Sequence, residues 1–276
     1  MTRFRRRAAV ACAAFALATA TLAPALVAAA LSNAQRDVLT RYLAALRDER
    51  YPAAFALLTD AERRYFGTAA NFASGFTADR LRIHSFRILA STTDPARGTV
   101  AIVSERIAFF DPAHEAQASA TAKVAYGLIP GARGPRVKDA FHPWRALAPD
   151  GLSARVSGVS VDVRKISFFT GRVEVVVTFA NRGDATVTLL PYGRSLLRDD
   201  AGAAYQPIAT KLPGLTDRTL YTGLRLAPSS RYTGVMAFAT PDRYTPKSLT
   251  FTFAPALLDG GDAPFELDVP TYRLSG

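Results

Sequence analysis

The sequence predicts an α+β domain followed by an all-β sandwich, and three successive patterns predict it. Apolar residues recur with a helical period between positions 34 and 65, then with a period of two from position 81. Beyond position 152 they fall almost entirely in short alternating runs broken by turn residues. Helices that precede an antiparallel sheet must bury their stripes on the one apolar face it offers. Seven or so short strands without a convincing helix must bury their faces on each other. The predicted plan is a removable segment at 1–30, an α+β domain at 34–147, a linker at 148–151 and a β-sandwich at 152–276.

The first segment reads as an export signal. Thr2 to Arg7 is cationic, Ala8 to Ala30 is almost wholly apolar, and small residues follow where a signal peptidase needs them, at Ala28-Ala29-Ala30 or at Ser32-Asn33-Ala34. The apolar run approaches the length of a membrane span, but its Ala-rich, weakly hydrophobic character and Pro24 favour cleavage over an anchor, so no stable transmembrane span is expected afterwards. Cys12 is the only cysteine, and most of the apolar segment follows it, which argues against lipidation. Cleavage leaves no cysteine, so each domain must be held by its core without disulfides. The expected location is secreted or in the extracytoplasmic cell envelope.

With 49% hydrophobic and 21% charged residues the composition is that of a folded chain, not of a disordered one. The net charge is +11, and removal of Arg3, Arg5, Arg6 and Arg7 leaves 30 basic against 23 acidic residues. That excess would attract a polyanionic envelope polymer. The basic residues are scattered, with no Lys/Arg block and no nucleic-acid-binding signature, so no nucleic-acid partner is expected.

After the signal, Leu39, Tyr42, Leu43 and Leu46 stand at i, i+3, i+4 and i+7 within Ala34 to Asp48, with Asn33 as the expected N-cap. Tyr51, Phe55 and Leu58 share the face of a second helix, and Thr59 with Glu62 forms a capping-box pattern opening a third through Tyr65. Strands follow at Leu81 to Ala90 and Thr99 to Phe110, joined through Asp94-Pro95 and Gly98. In the next strand Ala116, Ala118, Ala120, Ala122, Val124, Tyr126 and Leu128 alternate with Gln117, Ser119, Thr121 and Lys123. A last strand is expected to carry Trp144.

Three short helices with Arg41-Tyr42-Leu43-Ala44-Ala45-Leu46 and Tyr51-Pro52-Ala53-Ala54-Phe55-Ala56-Leu57-Leu58, then four strands closing near a Trp, resemble the cone-shaped fold of nuclear transport factor two and ketosteroid isomerase. The likeness lies in pattern, not in an invariant motif. It implies three helices on a curved antiparallel sheet.

In the second half, Val173, Val175, Val177 and Phe179 line one face of a strand ending at Asn181-Arg182-Gly183-Asp184. Leu249, Phe251 and Phe253 alternate with Ser248, Thr250 and Thr252, and further strands are predicted at Arg155 to Val163, Thr186 to Leu190, Thr219 to Leu226, Arg231 to Phe238 and Phe265 to Val269. The order Phe179-Ala180-Asn181-Arg182-Gly183, Asp199-Asp200-Ala201-Gly202 with Tyr205, Leu226-Ala227-Pro228, then Gly234-Val235-Met236-Ala237-Phe238 resembles an immunoglobulin-like domain of unknown function in secreted bacterial proteins. That resemblance implies a binding or spacer module and brings no catalytic residue.

Motifs for chemistry are few. His84, His114 and His142 lack metal-ligand spacing, so no metal and no cofactor is expected. Gly193-Arg194-Ser195 lacks the closing glycine of a nucleophile elbow. Gly131-Ala132-Arg133-Gly134 lacks the lysine of a phosphate loop. Asp199-Asp200 and Asp259-Gly260-Gly261-Asp262 read as turns. Glu105 stands out because it shares strand parity with Ala101, Val103, Ile107 and Phe109, which aims a carboxyl into an apolar face.

Glu105, His84, Tyr126 and Trp144 are therefore the candidate pocket residues. The expected function is an exported non-enzymatic binding protein whose partner is an envelope protein, a polyanionic envelope polymer or a small apolar ligand. The alternatives are a cone-fold enzyme with Glu105 as base and a structural envelope spacer.

Overall fold

A computed structural model describes residues 30–94, 98–111, 116–139, 142–190, 195–211, 223–258 and 264–274. The predicted export segment up to Ala29, His114, Gly193-Arg194, Asp259 to Asp262 and the first part of the strand predicted at Thr219 to Leu226 lie outside these residues. The protein is α+β, with three antiparallel sheets and few helices.

Helix α1 (Asn33–Arg47) starts at Ser32, not Asn33: the Ser32 hydroxyl accepts from the backbone N–H of Gln35, whose side chain accepts in return from the Ser32 N–H. Its apolar stripe buries Leu39, Tyr42, Leu43 and Leu46 as the spacing predicts. Helix α2 (Tyr51–Ala56) has Pro52 in its first turn, where a missing N–H costs nothing. Helix α3 (Asp60–Phe66) is capped by Thr59 and ends at Gly67, whose φ of 75° suits glycine. A fourth helix, α4 (Ala69–Thr77), is capped by Thr68 and was not expected, because Asn71, Ser74 and Gly75 give it a weak helical signature. Tertiary packing overrides that weakness: Phe72 lies edge-on between Phe66 and Phe76, with centroids 5.1 and 5.2 Å away.

The first sheet runs in the order β1 (Arg82–Asp94), β2 (Gly98–Asp111), β3 (Ala116–Ile129) and β4 (Arg136–Lys138). Pairing sets Ala101 opposite Tyr126, Val103 opposite Val124, Glu105 opposite Ala122, Ile107 opposite Ala120 and Phe109 opposite Ala118 on one face. The bridge from Leu58 to Val137 ties the end of α2 to β4.

The strand β5 (Arg145–Leu147) that follows Trp144 does not join this sheet. It pairs with β7 (Val159–Phe169), so the segment after Trp144 belongs to the second sheet, a correction to the sequence expectation. Three residues carry too little pattern to choose a partner, and the choice is made by packing, with the Trp144 ring against Phe168 at 5.5 Å and the Trp144 backbone N–H donating to the Phe168 carbonyl.

That second sheet also contains β6 (Ser153–Val156), β8 (Arg172–Asn181), β12 (Pro207–Lys211) and β14 (Arg231–Ala239). The third contains β9 (Val187–Leu189), β10 (Leu196–Asp199), β11 (Ala204–Tyr205), β13 (Leu224–Leu226), β15 (Ser248–Leu258) and β16 (Phe265–Arg273). Their apolar faces meet through Phe179 on Phe253 and Phe238 on Phe251. The buried Asn181 amide closes the end of β8 by donating to the carbonyls of Ala185 and Leu226.

The helical half and the second sheet are joined by more than the chain. Lys165 on β7 places its ammonium 2.6 Å from both carboxylate oxygens of Asp79, and the N–H of Ala146 donates to the Ser74 hydroxyl on α4. Trp144→Ala removes the aromatic plug of this junction and is expected to destabilise the protein by about 3–5 kcal/mol. Urea unfolding followed by circular dichroism measures this, and a loss of under about 1 kcal/mol would show that Trp144 is dispensable there.

Candidate functional site

The helix-covered face of the first sheet is packed at one end and open at the other. Ala101, Val103, Tyr126 and Leu128 are fully buried, whereas Ile107, Phe109, Ala118, Ala120 and Ala122 on the same face are only half-buried. Glu105 lies at the transition and is buried. Three alanines in alternate positions leave this stretch low, with the larger Phe109 and Ile107 on the neighbouring strand.

Glu105 is not a stray charge. The hydroxyl of Tyr126 donates to its Oε1 at 2.6 Å. Desolvation raises the Glu105 pKa to about 7, and the Tyr126 hydrogen bond opposes that rise. Burial, reinforced by the surrounding carboxylates, keeps the Tyr126 phenol well above its ordinary range, so it remains a donor.

The Tyr126 ring meets Tyr42 edge-on at 5.8 Å, and through Tyr42 the pair connects to a second group of polar side chains. The Tyr42 hydroxyl donates to Oδ2 of Asp139, which is buried just beyond β4. Oδ1 of Asp139 lies 3.3 Å from His142 Nε2. The Asp139 backbone N–H donates to Glu62, whose pKa burial raises to about 7, with the Asp139 charge adding to the rise. Burial alone would lower the His142 pKa, but the Asp139 carboxylate, together with Glu105 and Asp79, outweighs it and the net shift is upward. His142 is held besides by the Phe76 ring at 5.2 Å and by the Tyr65 hydroxyl on its carbonyl.

The four residues singled out from the sequence thus separate. Glu105 and Tyr126 form one hydrogen-bonded pair. His84 does not join them: a bulge between Ile83 and Ser85 interrupts the alternation that put it on the face of Phe86, and its side chain is exposed. Trp144 sits at the junction with the second sheet, packed on Phe168. Tyr42, Glu62, Asp139 and His142 were not read as site residues, because Tyr42 also satisfies a core stripe and Glu62 also satisfies a helix cap. No motif marks Asp139: Tyr42 and Glu62 lie on α1 and α3, far away in sequence, and His142, three residues on, is its local partner.

Burial thus brings two carboxyl groups, Glu62 and Glu105, up to about 7. Among the described residues no group of three or more His, Cys, Asp or Glu side chains is placed to bind a metal ion. The Asp199 carboxylate accepts from the backbone N–H groups of Ala201 and Ala203, closing its own turn, while the Asp200 carboxylate accepts from those of Lys247 and Ser248 and ties the turn to the start of β15. Ser195 is buried in the second half of the chain, remote in sequence from the Glu105 cluster. Two surface depressions, one lined by Phe55, Asp60, Arg63, Arg64 and Gly67 and one by Leu31, Arg36 and the stretch Ile88 to Ser91, do not touch Glu105. No family model matches the chain, and no curated protein and no solved structure matches it either.

The folded state holds the protons of Glu62, Glu105 and His142 more tightly than the unfolded chain does. Their stabilisation is complete below the unfolded pKa values and is lost as pH rises through the folded ones. Unfolding midpoints in urea are therefore expected to fall between roughly pH 5 and pH 8, with Glu105 contributing on the order of 2 kcal/mol. Glu105→Gln should flatten that slope. A midpoint that rises over this interval, or an unchanged slope in the variant, would contradict the assignment.

Proposed function

We propose that the chain is an exported, non-enzymatic binding protein that takes a small apolar ligand bearing one hydrogen-bonding group. In this reading the helices and the first sheet, which ends with β4 at Lys138, form a cone-shaped domain like that of nuclear transport factor two and ketosteroid isomerase, and β5 lies on the second sheet. Residues 152–276 form an immunoglobulin-like sandwich that presents the cone at the cell envelope, with the basic surface favouring polyanionic polymers there.

The observation that carries the reading is the half-covered apolar face with a buried carboxyl–phenol pair at its inner end. An apolar ligand gains affinity by covering Phe109, Ala118, Ala120 and Ala122, and one convergent polar pair fixes its orientation, which is the common division of labour in small-molecule sites. Glu105 is suited to meet either a donor or an acceptor, because near pH 7 its carboxyl is present in both protonation states.

The test uses the neutral apolar fluorophore N-phenyl-1-naphthylamine with the mature chain. Ala120→Phe fills the open half of the face and should weaken binding at least about tenfold, equivalent to about 1.4 kcal/mol. Glu105→Gln should alter affinity at neutral pH and leave it unchanged at about pH 5, where the wild-type carboxyl is protonated and resembles the amide. Both variants should retain the wild-type circular dichroism. Unchanged affinity in Ala120→Phe would place the probe elsewhere.

A further inference from the structure

The first sheet has a second face, turned away from the helices, and its charge is one-sided. Alternation about the buried Glu105 puts Ser104 and Arg106 on that face. The register sets Arg106 opposite Ser85 and Thr121, with Arg87 and Lys123 on either side of Ser104 in the next row. Arg87, Arg106 and Lys123 are exposed, as are Ser85 and Thr121, while Ser104 is half-buried. Among the described residues none of the three cations forms an ion pair. The flanking rows add Arg82, held by Glu49 at 3.0 Å, and no carboxylate.

Folding alone does not account for this pattern. Cations on an edge strand keep other chains from pairing with it, which explains Arg87 on β1. Arg106 and Lys123 stand on β2 and β3, which have neighbours on both sides. Like charges on adjacent strands repel, and an exposed face ordinarily intersperses the two signs. Here Arg106 is diagonal to Arg87 across one strand boundary and to Lys123 across the other. Successive cations are therefore about 7–8 Å apart and cross three strands in a shallow zigzag.

We propose that this face docks a linear phosphodiester polymer of the glycerol phosphate type, a proposal that rests on the envelope reading above for where the partner is met. A chain with a three-carbon spacer between phosphates repeats its charge on the scale of the zigzag, so that one phosphate meets each cation. Arg87 and Arg106 each offer a guanidinium fork to two phosphate oxygens, and Lys123 supplies a point charge. The hydroxyls of Ser85, Ser104 and Thr121 stand between them as further donors. These two rows hold no exposed aromatic to stack a base and no apolar anchor to enter a bilayer, which argues against nucleic acid and against a lipid surface.

The experiment is fluorescence anisotropy of a labelled glycerol phosphate hexamer with the mature chain. Binding is expected, with log affinity falling against log salt at a slope of about −2, as three phosphate contacts imply. Arg87→Gln, Arg106→Gln and Lys123→Gln should each weaken it roughly three- to tenfold, and the triple variant should abolish it. Because all three side chains are exposed, the variants should keep the wild-type circular dichroism. Arg155→Gln removes the same charge from an exposed position on β6 and should leave hexamer binding unchanged. The naphthylamine, which reads the opposite face, should bind every variant equally. Equal weakening in Arg155→Gln overturns the site, as does tighter binding at equal charge to an oligouronate, to single-stranded DNA or to phosphatidylglycerol vesicles. No hexamer binding, with the naphthylamine still bound, overturns this proposal and spares the Glu105 reading.

Discussion

Asp139 is the constraint on which most of the molecule depends. A buried carboxylate is tolerated only when its oxygens are satisfied, and here Tyr42 donates to one while His142 faces the other. Those two contacts fix different things. The first anchors α1 to the end of β4 and so determines which part of the first sheet the helix covers. The second holds the chain immediately before Trp144, where it leaves the first sheet for the second.

The same charge sets the electrostatics of the open face. It adds to the upward shifts of Glu62 and Glu105 and it holds His142 up against the opposing effect of burial. The Glu105–Tyr126 pair and the Asp139 group thus form one electrostatic unit, with the Tyr42 and Tyr126 rings between them. A buried network of this kind is a weak source of net stability. Its value lies in specifying one arrangement of α1, α3 and β4, and in keeping a titratable carboxyl beside an apolar surface.

Legibility in the sequence followed the range of each interaction. The α1 stripe and the alternation of β2 and β3 are local and periodic, so strict parity aims Glu105 at the covered face, against the alternative of a bulge or a salt bridge. His84 could not be placed in this way, because a single bulge reverses parity without leaving a mark in residue type. Helix α4 was hidden by Gly75 and its polar neighbours, whose propensities are overruled by Phe72 and Phe76 in the core. The pairing of β5 with β7 and the gathering of Tyr42 and Glu62 around Asp139 depend on contacts between distant segments, and a single sequence carries no signal for them.

The central claim is that a proton-holding carboxyl forms the inner end of an apolar binding face. Carbon-13 NMR titration of the Glu105 side-chain carboxyl, with and without the naphthylamine, tests it most directly. The account predicts a midpoint of about 7 in the free protein, displaced when the probe binds. A midpoint near the ordinary value of 4.5, indifferent to the probe, would contradict it.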